Sequence, residues 1–120
     1  MNDPAAQKTL SLAEVRELLA AEVLSGDDLA VRVEQVGAAD LMSDVLALSK
    51  PGMLLMTGLL SSQVIRTAHI SDLCAVVFVR GKKPGAEILA LAGKLGIPVL
   101  RTHLTLFEAS GLIYNALSPR

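Results

Sequence analysis

The strongest constraint on the fold of this chain is a series of three short apolar segments, each followed by an amphipathic stretch. The segments are Met53 to Thr57, Ala75 to Val79 and Ile97 to Leu100. A strand that is apolar on both faces is typical of a parallel sheet covered by helices. Because parallel neighbours need a crossover connection, the alternation predicts a single α/β domain with a mostly parallel sheet flanked by helices in three layers.

The stretches that follow these segments carry apolar residues at helical spacing. We predict helices from Ala38 to Ser49, from Ser61 to about Ser71, from Pro84 to Gly96, and from Thr102–Thr105 to Ala116. The first of these helices should bury Leu41, Val45 and Leu48 on one face. Crossovers between parallel strands are right-handed, so the carboxyl ends of the strands should share one edge of the sheet.

The amino-terminal part carries a helix start and a further strand. Ser11 and Glu14 fit a capping box, in which each side chain accepts from the other residue's backbone N–H. A short amphipathic helix should follow to about Ala20. The segment from Val31 to Val36 alternates valines with polar residues, which predicts a strand with one wetter face.

Composition excludes several classes of function. The 120 residues fit one domain, which we expect over 10–117, with a disordered tail at 1–9 and a short tail at 118–120. A formal charge of −1 and 2% aromatic residues are unsuited to a nucleic-acid surface. No apolar run approaches the roughly 20 residues of a membrane span, and no secretory-signal pattern is visible. We expect a cytoplasmic protein that binds neither nucleic acid nor membranes.

Reactive groups are few. Cys74 is the single cysteine, so an internal disulfide or a multi-cysteine metal site is excluded. Its place before a buried strand favours an inert packed thiol over a redox or cluster-binding one. The Walker and dinucleotide glycine patterns are absent, and no nucleophile, base or carboxylate pair stands out. We expect no enzyme activity, no metal and no cofactor, and we assign acidic residues such as Asp40 to helix caps.

Polar and basic residues follow each of the three central strands. In parallel α/β sheets, ligands bind beyond the carboxyl ends of the strands, where free N–H groups at helix starts favour anions. The candidate ligand-binding residues at this edge are Thr57, Gly58, Ser61, Ser62, Arg80, Gly81, Lys82, Thr102 and His103. Lys83 and Thr105 lie beside them. The pattern predicts a site for a small anionic ligand, such as an adenine nucleotide.

A purely structural interpretation of these residues stands beside the functional one. The glycines suit turns after strands, and the hydroxyl side chains suit helix caps. Lysines at such loops are often only solvated. His103 fits either a phosphate contact or a hydrogen-bonded loop histidine.

The last predicted helix carries two apolar stripes. One stripe consists of Leu106, Ser110, Ile113 and Leu117, and the other of Leu104, Phe107, Gly111 and Tyr114. One stripe can pack on the sheet, which leaves the second for another protein surface. We therefore expect a homodimer.

Three segments give the chain a resemblance to a known family. They are LSLAEVRELLAAEVLSG from Leu10, KPGMLLMTG from Lys50 and AVVFVRGKKPGAEILALAGKLGIPVLRT from Ala75. Their order resembles the DRTGG domain and the related amino-terminal domain of HPr kinase/phosphorylase. The resemblance implies the same α/β fold and a regulatory or accessory domain, often fused to nucleotide-sensing or kinase domains and prone to dimerise.

The chain also departs from the pattern of that family. The peptide Asp-Arg-Thr-Gly-Gly does not occur, and Leu59-Leu60-Ser61-Ser62 follows Thr57-Gly58 where many members have a further glycine and a charged Asp/Arg pair. Two hypotheses result. The first is a non-catalytic regulatory module that dimerises and binds a small anionic ligand. The alternative, implied by free-standing members, is a structural adaptor without its own ligand that docks on a larger enzyme such as a hydrogenase or electron-transfer complex.

Overall fold

A computed structural model describes residues 8–118 of the chain. In chain order its strands are β1 (Leu10–Ser11), β2 (Glu22–Ser25), β3 (Arg32–Val33), β4 (Val36–Ala38), β5 (Leu54–Thr57), β6 (Ala75–Phe78) and β7 (Val99–Arg101). The main sheet has the order β2-β7-β6-β5-β4. Strands β4 to β7 run parallel, and β2 is antiparallel to β7. The predicted mostly parallel sheet is confirmed.

Five helices cover the two faces of this sheet. They are α1 (Leu12–Leu19), α2 (Met42–Leu48), α3 (Ser62–Ile70), α4 (Ala86–Leu95) and α5 (Leu106–Leu117). Successive residues of β5 point to opposite faces: Leu54 and Met56 pack with α1 and α5, whereas Leu55 packs with α2, α3 and α4. The three predicted layers are therefore present, with a separate apolar core on each side of the sheet.

Two helices begin with a capping box. The backbone N–H of Glu14 donates to the Ser11 hydroxyl at 3.1 Å, and that of Ser11 donates to the Glu14 carboxylate at 2.8 Å, as predicted for α1. Thr105 and Glu108 make the same pair of bonds at the start of α5. The last helix therefore begins after Thr105, at the late end of the predicted range.

The predicted strand from Val31 to Val36 is wrong as a single element. Strand β3 pairs antiparallel with β1 in a separate two-stranded sheet, whereas β4 forms one edge of the main sheet. The chain joins the main sheet at Gln35, whose carbonyl accepts from the Leu54 N–H at 2.9 Å. An alternating pattern indicates extended chain, but it does not specify which sheet that chain enters.

Helix α2 begins later than predicted and buries a different face. It begins at Met42, because Ala38 is the last residue of β4. Met42 and Val45 are buried in the core. Leu41 and Leu48, predicted to be buried with Val45, are 60% and 76% exposed.

The remaining differences lie at the edges of the domain. Strand β2 was not predicted, because its two central apolar residues are too few to show a period. The predicted tails lie largely outside the described residues, although Thr9 accepts a hydrogen bond from Arg32 and the Ser118 N–H donates to the Tyr114 carbonyl. Within residues 8–118, no helix combines the length and apolar character required to cross a membrane.

Candidate functional site

The loops that follow the parallel strands meet at one edge of the sheet, which we call the rim. They comprise residues 39–41 after β4, 58–61 after β5, 79–85 after β6 and 102–105 after β7. The junction of α1 and β2 reaches the same edge, because β2 is antiparallel and Glu22 pairs with Arg101. The predicted clustering of the strand-end loops follows from this topology.

At the centre of the rim, the Thr57–Gly58 turn is bonded to a carboxylate. The Thr57 hydroxyl donates to Asp40 Oδ1 at 3.1 Å, and the Gly58 N–H donates to the same oxygen at 2.7 Å. The Thr57 hydroxyl also accepts from the Leu59 N–H at 3.1 Å. Thr57 and Gly58 are buried, whereas Asp40 is exposed. The buried donors of the turn are thus bonded to a carboxylate that itself faces solvent.

Two basic side chains reach Gly58 from the loop after β6. Lys82 Nζ donates to the Gly58 carbonyl at 2.7 Å. A Cβ atom at Gly58 would lie 2.9 Å from Arg80 Nη2, closer than real Cβ contacts allow. A side chain at Gly58 would therefore displace the flexible end of Arg80, so the glycine allows the guanidinium to lie against the turn.

The loop after β6 turns through two residues with positive φ. Arg80 has φ of 62° and Gly81 has φ of 67°, and the Lys82 N–H donates to the Val79 carbonyl at 3.3 Å, as in a type I′ turn. The Arg80 N–H also donates to the Leu104 carbonyl at 2.7 Å, which fixes the turn against the next loop. A non-glycine residue in this region costs roughly 1–3 kcal/mol, and such strain is concentrated at functional sites.

The Thr102 hydroxyl makes its hydrogen bonds in the interior of the fold. Its hydroxyl donates to the Leu19 carbonyl at 2.7 Å and accepts from the Leu104 N–H at 3.3 Å. The side chain is fully buried. Thr102 joins the end of β7 to the end of α1, and it is neither a helix cap nor exposed to a ligand.

His103 lies on the outer side of the same loop. It is exposed, and a Cβ atom at Gly81 would lie 2.7 Å from its Nδ1. Arg101 Nη2 lies 3.5 Å from His103 Nε2, and Arg101 Nε lies 3.8 Å from the Glu22 carboxylate. His103 therefore stands among basic groups, an arrangement that suits contact with an anion better than proton transfer to a neighbouring nucleophile.

The structure places the two predicted serines, Ser61 and Ser62, in other local settings. Ser61 caps α3, where its hydroxyl accepts from the Gln63 N–H at 3.1 Å, as the structural interpretation holds. Ser62, the first residue of α3, lines a groove between α3 and α4 together with Arg66 and Glu87.

Asp40 is the rim residue that sequence reasoning missed. We assigned it to a helix cap, yet the residue at the start of α2 is Leu41, which makes no side-chain cap. A usable signal was its position two residues after Ala38, the end of β4. Had that strand been recognised, Asp40 would have been placed at the same edge as Thr57.

The family assignment follows from comparison with known families. The model of the DRTGG domain matches residues 14–116. The chain belongs to the DRTGG domain family. The match includes Asp40 and every predicted rim residue, so all of them lie within the DRTGG domain itself.

A solved structure shares the fold of this DRTGG domain. It contains the CBS and DRTGG domains of the regulatory region of Clostridium perfringens pyrophosphatase, in complex with the activator diadenosine tetraphosphate. The TM-score is 0.76 and the sequence identity is 23%. The match covers 89% of this chain and 47% of the other, so this chain spans about half the length of that regulatory region. No curated protein matches the chain.

A groove of about 710 Å³ in this DRTGG domain lies away from the rim cluster, between the edge strand β4 and α5. Val36, Met56 and Tyr114 are among its lining residues, and Glu34 and Lys50 contribute opposite charges. The groove has no excess of positive charge with which to attract an anion. Positive charge in this domain is more concentrated at the rim, where Arg80, Lys82 and Lys83 lie close together in the chain.

Metal and thiol chemistry find no support in the described DRTGG domain. Between residues 8 and 118, no three His, Cys, Asp or Glu side chains are grouped so as to hold a metal ion. Burial raises the pKa of the Cys74 thiol to about 11. Because the thiolate is the reactive form, Cys74 is unreactive at neutral pH, as the packed-thiol interpretation holds.

Proposed function

We propose that this DRTGG domain is a non-catalytic regulatory module that dimerises and binds a small anionic ligand, such as an adenine nucleotide, at the rim. The observation that carries the proposal is the position of Arg80. Its guanidinium lies against Gly58, and no acceptor among residues 8–118 binds its side chain. An exposed guanidinium held beside backbone donors is suited to phosphate oxygens.

The charge around Arg80 supports the same ligand class. Lys82, Lys83 and His103 lie on the loops after β6 and β7, and Arg101 is the last residue of β7. The exposed carboxylates of Asp40 and Glu22 oppose this positive charge. Positive charge at the surface attracts anions and raises their rate of association. Lys83 is exposed and extends the basic surface beyond Lys82, whose amine is bound to the Gly58 carbonyl.

The departure from the family peptide is partly offset by neighbouring loops. Many members carry a charged Asp/Arg pair directly after the Thr-Gly turn, and this chain has two leucines there. In the folded domain, Asp40 and Arg80 approach Gly58 from the loops after β4 and β6. An acidic and a basic group therefore flank the turn despite the altered peptide.

The choice of adenine nucleotides as probes comes from the pyrophosphatase regulatory region. That region, which pairs CBS domains with a DRTGG domain, was solved with diadenosine tetraphosphate as activator. The proposed lack of catalysis is supported by the same comparison, because the matched structure is a regulatory region.

Ligand binding is tested by thermal shift with ATP, ADP, AMP, diadenosine tetraphosphate and pyrophosphate. A ligand at 100 times its dissociation constant stabilises the fold by about 2.7 kcal/mol, or roughly 10 °C for a domain of this size. Lys83→Ala should reduce the shift. Lys94→Ala, in the last turn of α4 at the opposite edge, is the matched control and should leave it unchanged. Absence of any shift across the panel would refute ligand binding.

Dimerisation is supported by the outer face of α5. Phe107 and Tyr114, two turns apart on this helix, are 88% and 77% exposed. Aromatic side chains are enriched at protein interfaces and unusual on free surfaces. Light scattering should give twice the monomer mass at micromolar concentration, and Phe107→Ser with Tyr114→Ser should give the monomer. Ile70→Ser, on the equally exposed end of α3, serves as control.

The adaptor hypothesis remains the second candidate because of exposed leucines on α2. Leu46 and Leu48 are 53% and 76% exposed on this helix of seven residues, and Leu41, which directly precedes it, is 60% exposed. Such a surface suits docking on a larger protein, in this hypothesis a hydrogenase or electron-transfer enzyme. Co-purification with one defined enzyme, lost in Leu46→Ser and Leu48→Ser together, would support it. A nucleotide shift without any stable partner would favour the regulatory module.

A further inference from the structure

The carboxylate of Asp40 is bonded to the hydrogen-bond donors of the Thr57–Gly58 turn. Its Oδ1 accepts from the Gly58 N–H at 2.7 Å and from the Thr57 hydroxyl at 3.1 Å. Hydrogen bonds to a charged acceptor are roughly twice as strong as neutral ones. An anion that approaches the turn therefore meets a negative charge already bound to the donors it needs.

The second oxygen of Asp40 faces no protein donor. Oδ2 has no partner within residues 8–118, and the side chain is exposed. Asp40 and Arg80 both lie next to Gly58: a Cβ atom placed there would be 3.5 Å from Asp40 Oδ1 and 2.9 Å from Arg80 Nη2. Asp40 and Arg80 nevertheless form no ion pair with each other in the described structure. A free acceptor and a free cation therefore flank a single glycine.

We propose that Asp40 determines the specificity of the rim, because it excludes bare inorganic anions and admits phosphorylated ligands that also carry hydroxyl donors. A ribonucleotide is such a ligand: its ribose hydroxyls donate to a carboxylate, as in dinucleotide sites, while its phosphates contact Arg80 and Lys83. A carboxylate at this point repels an anion that brings no compensating donor. This inference rests on the proposed function and assigns its ligand class.

The test compares binding of inorganic tripolyphosphate and of ADP by calorimetry at low salt. Asp40→Asn retains an oxygen acceptor for the turn but removes the charge. It should bind tripolyphosphate about tenfold more tightly than the wild type, as expected for one like charge removed near the surface. The preference for ADP over tripolyphosphate should fall by a similar factor. Asp44→Asn, exposed in the first turn of α2, is the matched control and should change neither affinity.

The outcomes separate this inference from the proposed function. Equal tripolyphosphate affinities for the wild type and Asp40→Asn overturn the inference, even if the wild type binds ADP. A gain of tripolyphosphate binding in Asp40→Asn, with no nucleotide bound by the wild type, supports exclusion by Asp40 and refutes the nucleotide module. Asp40→Ala, which frees both donors, should gain at least as much as Asp40→Asn. Failure of both variants to bind tripolyphosphate also overturns the inference.

Discussion

Two threonines at the ends of parallel strands show how differently the two halves of the rim are built. Thr57 ends β5 and Thr102 directly follows β7, and both side chains are fully buried. The Thr102 hydroxyl bonds only to backbone groups, at Leu19 and Leu104. The Thr57 hydroxyl donates to an exposed carboxylate instead. The two threonines are equally buried, but their hydroxyls have different partners. Thr102 stabilises the fold, whereas Thr57 positions a charged group that faces solvent.

The comparison locates the ligand-binding capacity of the rim. In the Thr102 half, which consists of Thr102, Leu104 and Thr105, the buried hydroxyl has used its one donor and has none left for an anionic ligand. In the Thr57 half, which consists of Asp40, Thr57, Gly58, Arg80 and Lys82, charged groups remain available at the surface. We therefore expect mutations in the Thr102 half to change stability, and mutations in the Thr57 half to change binding.

The largest effect is expected for Thr102→Val. This substitution leaves the buried Leu19 carbonyl and the partly buried Leu104 N–H without their partner, and an unsatisfied buried group costs about 1–3 kcal/mol. We expect a loss of about 2–3 kcal/mol in urea unfolding and a melting temperature lower by roughly 10 °C. The ligand-induced thermal shift should persist. If Thr102→Val lowers the free energy of unfolding no more than Thr57→Val does, the proposed difference between the two halves is wrong.

Thr57→Val should have the opposite profile. Asp40 is exposed and can be rehydrated when the hydroxyl is removed, so the stability loss should be only about 1 kcal/mol. The turn should lose its order around Gly58, and the nucleotide shift should disappear. Parallel urea titrations and thermal shifts of the two valine variants measure both quantities. A full nucleotide shift in Thr57→Val would remove the Thr57 half from the site.

Arg80→Gly should stabilise the fold while weakening binding. At φ of 62°, glycine avoids the roughly 1–2 kcal/mol that a side chain costs there, and its larger entropy loss on folding offsets about 0.5–1 kcal/mol of this gain. Asp72→Gly is the control, because Asp72 has a similar φ of 56° and follows α3 at the edge of the sheet opposite the rim. Both variants should raise the urea midpoint, but only Arg80→Gly should reduce the nucleotide shift. Unchanged binding in Arg80→Gly would contradict the role given to the guanidinium.

The smallest expected effect is on the pH dependence of stability, at the capping box formed by Thr105 and Glu108. Hydrogen bonds from the Thr105 backbone and hydroxyl lower the pKa of Glu108 below its usual value. A lowered folded pKa stabilises the protein above the unfolded value, and this contribution is lost as the pH falls through the folded pKa. In Glu108→Gln the urea midpoint should therefore fall less between pH 7 and pH 3 than in the wild type. Identical pH profiles would show that the Glu108 carboxylate contributes nothing.

The central strands could be predicted because their signal is local. Leu54–Thr57 and Ala75–Phe78 are continuous apolar runs, and burial on both faces requires that composition. Strand β4 carries no such signal, since Val36, Gly37 and Ala38 are small and only partly buried or exposed. For the same reason, the start of α2 was predicted at Ala38, which belongs to β4, and not at Met42.

The rim could be predicted in position but not in its contacts. Parallel topology places the loops after β5 and β6 together, which sufficed to select Gly58 and Lys82, 24 residues apart. The bond between Asp40 and Thr57 depended on the unrecognised strand β4, so no local pattern indicated it. The structural role of Thr102 could not be predicted because its partner, the carbonyl of Leu19, is 83 residues away in the chain.

The most direct test of this account is a nitrogen-15 NMR titration of the wild-type protein with ADP. The account predicts that the amide signals of Gly58, Arg80 and Lys83 shift with ADP concentration. The amide signal of Leu104, in the Thr102 half, should move far less. Shifts confined to the β4–α5 groove, at residues such as Val36 and Tyr114, would contradict it, as would a spectrum that does not respond to the nucleotide.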